Sequence, residues 1–150
     1  TALNGTGEIV RLTQKDLNFS YRHSALQDQD LVVLSVSFVL KPEEQQIIEA
    51  KMADFSRRRR TKQPLDYPSA GSTFKRPFGH YAAALIDEAG LKGMRVGDAM
   101  VSPKHAGFVI NCGKATARDT LLLMRSIEDK VFAKSGVRLE PEVMIIGEDV

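Results

Sequence analysis

The alternation of apolar and polar positions predicts a chain in which strands and helices mix without a strict repeating order. The longest apolar run, Leu31–Leu40, is interrupted by two serines and is typical of a buried strand. A helix is expected to open at Lys41–Glu44, where a proline and two acidic residues suit a first turn, and to end in Arg57–Arg60. Four apolar side chains share one face of this helix: Ile47, Ile48, Met52 and Phe55.

The clearest helix signals lie in the second half of the chain. Thr116 and Asp119 have the spacing of a capping box, and Gly136 is expected to end the helix that they begin. Apolar residues recur at every fourth position on one face: Leu123, Ile127 and Val131. With a strand at Gly107–Ile110 and an extended segment at Arg138–Ile146, this helix predicts a strand–long helix–strand unit and the α+β class.

Shorter elements are expected between these segments, and a loop rich in Pro and Gly, Gln63–Ser72, follows the first helix. They are a strand at Glu8–Leu12, one helical turn at Thr13–Asp16, a short helix at Tyr81–Ala89 stopped by Gly90, and two short strands in Met94–Val101 around Gly97.

Composition limits the classes of protein that remain. The 150 residues are 43% hydrophobic and 27% charged, which suits one compact domain or one small domain with part of another. No apolar run approaches the ~20 residues that a membrane helix needs, so we expect no membrane partner. The formal net charge of +2 is too small to indicate a nucleic-acid partner by itself.

The cysteine and histidine content argues against disulfides and metal sites. Cys112 is the single cysteine, which excludes an internal disulfide and a multi-cysteine zinc site and is typical of a reducing, cytoplasmic compartment. The histidines, His23, His80 and His105, show no metal-ligand spacing, so no metal is expected. The first residues, Thr1–Gly5, contain neither an initiator Met nor a signal sequence, and the chain is expected to be a piece of a longer protein.

Two glycine-containing segments lack the features of nucleotide-binding motifs. Asn4–Gly7 precedes a strand and not a helix, so it offers no helix N-terminus for a pyrophosphate and is interpreted as a turn. Gly71–Lys75 lacks the Gly-Lys-Ser/Thr order of a P-loop, and Ser72 is not in a Gly-x-Ser-x-Gly elbow. Nucleotide-hydrolysing and hydrolase functions therefore lose their main support.

The basic run Arg57–Lys62 has two interpretations. Five of its six residues are basic, more than a helix end needs to balance its dipole. Guanidinium groups also bind phosphate oxygens in pairs, so the run suits a polyanion site. The residues alone leave both interpretations open, although the interleaved aromatics of a nucleic-acid module are not evident.

Three further polar residues are ambiguous when each is taken alone. Ser72 suits a loop serine as well as a catalytic one. Glu142 lies among apolar residues, where the neighbouring Pro141 would suit an edge strand with an outward-facing acid. Arg22, between an aromatic residue and a histidine, indicates nothing in isolation.

Taken together, four segments resemble one enzyme family. They are Phe19–Ser24, then Arg59–Pro64 running into Ser69–Pro77, then Ala89–Gly97 with Val101–Ala106, and finally Leu139–Val143 with Ile146–Gly147. Their order and spacing are similar to those of UDP-N-acetylenolpyruvoylglucosamine reductases, flavoenzymes of bacterial peptidoglycan precursor synthesis. The signatures Ala-Gly-Ser-x-Phe-Lys and Leu-Glu-Pro-Glu-Val are specific, and the resemblance runs from Ile9 to Gly147.

The resemblance implies an oxidoreductase that uses FAD and NADPH to reduce UDP-N-acetylglucosamine enolpyruvate to UDP-N-acetylmuramate. Flavin N5 would deliver hydride to the vinyl carbon, and the carbon beside the carboxylate would become an enolate that must be protonated. Ser72 matches the proton donor of the family. Arg22 and Glu142 match the residues that polarise the substrate carboxylate and stabilise its developing charge.

The resemblance also implies residues that bind the substrate and the flavin. Lys62 matches a ligand of the substrate phosphate, Arg59 and His105 would line the nucleotide-sugar pocket, and Tyr21 and Arg76 are further substrate contacts. Arg22 and Gly71 are the expected flavin contacts.

Two features differ from other members of the family. Some members carry an inserted loop after the strand that corresponds to Leu31–Leu40, whereas this chain continues directly into the Pro42 helix and resembles the shorter-loop subclass. Arg76 stands where other members have Asn.

The same resemblance implies a domain organisation. Residues 1–41 would be the end of an FAD-binding domain, and residues 42–150 a small α+β substrate-binding domain for the UDP-sugar. Since most of the flavin domain of the family lies upstream, we expect this chain alone to be inactive, to retain no FAD and to self-associate through an uncovered sheet edge. A basic nucleic-acid or polyanion-binding module remains the alternative.

Overall fold

The computed structural model describes residues 1–147 and divides into two compact units, Thr1–Glu44 and Gln45–Val150. The first unit contains β1 (Ala2–Asn4), β2 (Ile9–Val10), α1 (Gln14–Leu17), a 3-10 turn (Ala25–Gln27) and β3 (Leu31–Val33). The second contains α2 (Gln45–Lys62), α3 (Ala82–Glu88), β4 (Arg95–Val96), β5 (Ala99–Val101), β6 (Val109–Asn111) and α4 (Ala117–Ser135). The α+β class is therefore confirmed.

The first unit is built on an antiparallel sheet in the order β2–β1–β3. The turn between β1 and β2 is held by Asn4, whose side-chain oxygen accepts hydrogen bonds from the amides of Thr6 and Glu8 at 3.1 and 2.8 Å. The single helical turn expected here forms as α1, and a capping box of Thr13 and Asp16, which the sequence analysis did not identify, begins it.

The strand predicted over Leu31–Leu40 is largely wrong. The strand β3 covers only Leu31–Val33, which pairs with β1. The amides of Leu34 and Ser35 then donate to the Thr1 carbonyl at 3.0 and 3.2 Å, and within the described residues the main-chain contact ends there. The rest of the run lies outside any strand, and its large side chains are exposed, with Phe38 at 79% and Val39 fully accessible.

The helix predicted after this run begins and ends later than expected. It starts at Gln45 and continues to Lys62, so it contains the whole arginine run. Its apolar face exists in the sequence but is not buried, since four of its side chains are exposed: Ile47, Ile48, Met52 and Phe55.

The second unit has its core between α4, α3 and an antiparallel sheet in the order β4–β5–β6. Three residues of α4 are fully buried, as their spacing predicts: Leu123, Ile127 and Val131. The helix begins with the predicted capping box, in which the Asp119 carboxylate accepts from the Thr116 amide at 2.9 Å. The backbone and side-chain hydrogen bonds from Thr116 hold the pKa of Asp119 below its usual value.

Two glycines adopt a left-handed backbone at positions where the sequence predicts a helix end and a turn between strands. Gly136 has a φ of +71° at the end of α4. Gly97 has a φ of +55° in the turn between β4 and β5, and a Cβ there would lie 2.8 Å from the Asp119 carboxyl group. A side chain at position 97 would therefore displace the cap of α4.

The last strand of the predicted strand–long helix–strand unit is also shorter than expected. The segment after α4 forms no strand in the described residues and makes one antiparallel bridge, between Phe74 and Pro141. The strand before the helix lies at Val109–Asn111, slightly later than Gly107–Ile110. A proline cannot donate to a ladder, which limits pairing around position 141.

Candidate active site

The segment that carries Ser72 runs beside β6 and then leaves it. The Asn111 amide donates to the Pro68 carbonyl at 2.9 Å, and Ser69 forms an isolated antiparallel β-bridge with Ile110. The ladder resumes at Thr73, whose amide donates to the Gly107 carbonyl at 2.9 Å. Residues 70–72 lie between these contacts, and we call them the Ser72 arch; Ser72 is exposed and Gly71 has a φ of +86°.

Glu142 is brought to the same place by backbone pairing. Its amide donates to the Thr73 carbonyl at 2.8 Å, and the Lys75 amide donates to the Glu140 carbonyl at 2.8 Å. The Glu142 side chain is half-buried, with its Oε2 atom out of contact with solvent. Two of the three residues expected to be catalytic, Ser72 and Glu142, therefore lie on neighbouring extended segments. Glu142 pairs with Thr73, the residue that follows Ser72.

An apolar cleft of 560 Å³ opens beside the Ser72 arch. Its walls come from the arch segment, β6, the first half of α4 and the segment after Glu142. The lining residues are Pro68, Ser69, Ala70, Thr73, Val109, Ile110, Asn111, Ala117, Thr120, Leu121, Met124, Val143, Met144, Ile145 and Ile146.

A second, basic cleft of 370 Å³ surrounds Arg76. It is lined by Lys75, Arg76, Pro77, Phe78, His80, Val137, Arg138 and Glu140. The Lys75 ammonium lies 3.3 Å from the Glu140 carboxylate, so that pair is close to neutral. Arg76 and Arg138 are then left as the positive charge of the cleft, which suits an anionic ligand.

Aromatic rings orient the two arginines of this cleft. The guanidinium of Arg76 lies 4.0 Å from the centroid of the Tyr81 ring, and its Nε donates to the His80 carbonyl at 3.3 Å. The guanidinium of Arg138 lies 4.3 Å from the Phe132 ring. Stacking on a ring restricts a flexible side chain while leaving the edge of the guanidinium able to donate.

The loop that carries His105 lies against the C-terminal end of α2. The Lys104 ammonium donates to the Arg60 carbonyl at 2.6 Å. The His105 Nδ1 atom accepts from the Gly107 amide at 3.2 Å, which leaves Nε2 as the nitrogen that can face a ligand. The last turn of α2, with Arg59 and Lys62, is thus held beside the His105 loop.

Within the arginine run, several charges are engaged by their own helix. Arg57 and Arg58 lie 2.5 and 2.6 Å from the carboxylate oxygens of Asp54, and the Nε of Arg59 donates to Gln63 at 3.2 Å. These contacts favour a helix-stabilising role for much of the run.

Arg22 and Tyr21 lie in the first unit, whereas the other expected site residues lie in the second. They form a tight turn closed by hydrogen bonds between the main chains of Ser20 and His23. Arg22 has a φ of +55°, in the left-handed region that residues with a side chain rarely adopt. Such strained positions concentrate at functional sites, which supports the role implied for Arg22.

Metal-binding side chains are not clustered in the part of the chain that the structure describes. Over residues 1–147, no three His, Cys, Asp or Glu side chains are grouped so that they could bind a metal ion. Within the same range, no helix has both the length and the apolar character needed to cross a membrane.

Sequence reasoning did not single out three residues that shape the site: Thr73, Lys104 and Arg138. Thr73 and Lys104 lie within motif segments, so their position next to Ser72 and His105 could have drawn attention to them. Arg138 precedes the last motif, and only the fold brings it to Arg76.

Comparison with known proteins gives a consistent result. A family model described as the C-terminal domain of UDP-N-acetylenolpyruvoylglucosamine reductase matches residues 63–146. Two curated UDP-N-acetylenolpyruvoylglucosamine reductases, from the Streptococcus pneumoniae strains ATCC 700669 and Hungary19A-6, are 53% identical over 148 and 146 residues. Those matches cover 99% and 97% of this chain, and 47% and 48% of the relatives.

The crystal structure of UDP-N-acetylenolpyruvylglucosamine reductase from Thermus caldophilus is also similar. It aligns with a TM-score of 0.66 and 39% identity, covering 85% of this chain and 45% of that one. This chain spans about half the length of the curated relatives that it matches. The resemblance carried by the four sequence segments is confirmed, and the chain belongs to the UDP-N-acetylenolpyruvoylglucosamine reductase family.

Proposed function

We propose that the chain is the C-terminal part of a cytoplasmic reductase that uses NADPH and FAD to convert UDP-N-acetylglucosamine enolpyruvate into UDP-N-acetylmuramate, for peptidoglycan synthesis. The observation that carries this proposal is the hydrogen bond from the Glu142 amide to the Thr73 carbonyl at 2.8 Å, which holds Glu142 beside Ser72. Residues 1–41 would belong to the flavin-binding domain and residues 42–150 to the substrate-binding domain.

The residues present supply only the rim of a flavin site. The two expected contacts are Arg22 and Gly71. Among the described residues, no heavy atom outside Gly71 and its two chain neighbours lies within 4 Å of a Cβ built on Gly71. The Gly71 backbone therefore borders open space and not a cradle shaped to a ring system. These residues do not enclose a flavin by themselves, since small-molecule sites usually bury most of their ligand.

The chemistry assigned to this chain is protonation and charge stabilisation on the substrate. Ser72 would donate a proton to the carbon beside the substrate carboxylate. A serine hydroxyl is a weak acid, so it must be held in place and reprotonated by neighbours. Arg22 and Glu142 would act on the carboxylate, where preorganised groups lower the energy of an enolate as charge develops.

The substrate diphosphate needs a positive surface in the second unit. The basic cleft around Arg76 and the last turn of α2 with Lys62 both provide one, and His105 lies at the loop that contacts that turn. Guanidinium and ammonium groups form short, strong hydrogen bonds with phosphate oxygens. Arg59 and Tyr21 are assigned to the walls of the sugar-nucleotide pocket.

The proposal is tested on the full-length reductase that contains this sequence. NADPH consumption should require the enolpyruvyl substrate, and Glu142→Gln should slow it by about 100-fold or more, the scale for losing one charge-stabilising group. Glu88→Gln, on the exposed end of α3, is the matched control and should leave the rate unchanged. Consumption of NADPH that does not depend on the enolpyruvyl substrate would contradict the proposal.

A further inference from the structure

The Ser72 arch interrupts an otherwise regular pairing with β6. The Asn111 amide donates to the Pro68 carbonyl, and Ser69 lies opposite Ile110. In a regular antiparallel ladder, the next donor on β6, the Val109 amide, would donate to the carbonyl of Ala70. It donates instead to the side-chain hydroxyl of Thr73, at 3.0 Å.

We propose that Thr73 is a positioning residue whose hydroxyl replaces the Ala70 carbonyl in the ladder and so allows the Ser72 arch to project from the sheet. Such an extra loop in one strand acts as a bulge, and bulges beside active sites redirect a side chain. This inference deepens the proposed function and rests on it, since Ser72 is the residue presented.

The other two hydrogen bonds of Thr73 join both sides of the site. Its amide donates to the Gly107 carbonyl at 2.9 Å, and its carbonyl accepts from the Glu142 amide at 2.8 Å. One residue therefore holds the arch against β6 and holds Glu142 against the arch. Thr73 is 4% exposed and Val109 is 9% exposed, so water has little access to replace the hydroxyl.

Loss of the hydroxyl has two structural outcomes, and both move Ser72. The buried Val109 amide is left without an acceptor and opens more often, or the arch closes onto β6 so that the Ala70 carbonyl takes the bond. A valine at position 73 has nearly the volume of threonine, so Thr73→Val removes the hydrogen bond with little change in packing.

The first measurement is amide hydrogen exchange of the 150-residue chain by NMR. Thr73→Val should speed exchange at Val109 by about tenfold or more, and Thr73→Ser, which keeps the hydroxyl, should restore slow exchange. Thr120→Val is the control, because the Thr120 hydroxyl donates to the Thr116 carbonyl of its own helix at 3.2 Å and not to a group of the arch ladder. If the arch closes instead, exchange at Val109 stays slow but the amide resonances of residues 70–72 shift. Unchanged exchange at Val109 together with unchanged resonances of residues 70–72 in Thr73→Val overturns the inference.

The second measurement separates positioning from folding in the full-length reductase. Thr73→Val should lower kcat by about tenfold with little change in KM for the enolpyruvyl substrate, and Thr73→Ser should recover most of the rate. Faster exchange at Val109 with an unchanged kcat overturns the positioning role while leaving the proposed function intact. If the unsubstituted protein reduces no enolpyruvyl substrate, the proposed function fails and the role of Thr73 in the reaction fails with it.

Discussion

The Lys104 ammonium donates to the carbonyl of Arg60 at 2.6 Å and thereby places the His105 loop against the last turn of α2. Carbonyls at the end of a helix have no partner within the helix, and a lysine is a favourable donor to them. This single contact joins two segments that are 44 residues apart in the sequence and that both carry expected substrate residues.

Lys62, in that last turn, is expected to bind the substrate diphosphate. Lys62→Ala should weaken binding of UDP-N-acetylglucosamine by roughly 1–3 kcal/mol, the scale for a hydrogen bond to a charged group. Isothermal calorimetry measures the change, with Lys130→Ala on an exposed position of α4 as the control. Equal affinities would remove Lys62 from the site, and competition by oligonucleotides with a steep salt dependence would favour the polyanion-binding alternative.

Ser72 is expected to affect one half-reaction of the full-length reductase. Ser72→Ala should leave reduction of the flavin by NADPH nearly unchanged, because that step needs no proton for the substrate. It should slow reoxidation of the flavin by the enolpyruvyl substrate by about 100-fold, within the usual range for general acid catalysis. Stopped-flow absorbance separates the two steps, and Ser126→Ala, whose hydroxyl donates to a helix carbonyl, is the control. Equal slowing of both steps contradicts the proton-donor role.

Asp119 makes the stability of α4 depend on pH. The Thr116 hydrogen bonds lower the pKa of Asp119 in the folded state, so their stabilisation is complete above the unfolded pKa of about 3.9. It is lost as the pH falls through the lower, folded pKa. Asp119→Asn should therefore lower Tm at pH 7 and reduce the fall in Tm between pH 5 and acid. Thermal unfolding followed by circular dichroism measures this, and Asp66→Asn, exposed in the loop after α2, should leave the profile unchanged.

The 150-residue chain alone is expected to be colourless, to oxidise no NADPH and to self-associate. The run from Leu34 to Leu40 exposes five large apolar side chains, a surface that soluble proteins usually cover. Phe38→Asp should shift the chain toward monomer in analytical ultracentrifugation. Phe78→Asp is the control, since Phe78 is also exposed, more than Phe38, but lies apart from that run in the sequence. A yellow preparation with stoichiometric FAD is incompatible with this expectation.

Local signals predicted the fold where the forces are local. The Thr116–Asp119 cap and the left-handed Gly136 each depend on neighbours within one turn, and the structure has both. The length of β3 depends on how far β1 pairs with it, and the apolar pattern of Leu31–Leu40 carries no information about that partner. Periodicity likewise identified the apolar face of α2 but not whether another element covers it.

The site was predictable only as far as its motifs extend. Ser72 and Glu142 were identified from segments that resemble a known family, and the structure places them on adjacent segments. The hydroxyl of Thr73 could not be recognised beforehand, because its role depends on an interruption in pairing between distant segments. The same holds for Arg138, which is brought to Arg76 by the pairing of the two segments around Phe74 and Pro141.

At Arg22, the left-handed backbone sets stability against the catalytic role that we propose for the side chain. Glycine adopts a φ of +55° without strain, so Arg22→Gly would relieve the turn while deleting the guanidinium. Selection for a higher melting temperature would therefore favour replacement of Arg22. The selected variants would be stable, but we expect them to have low catalytic activity.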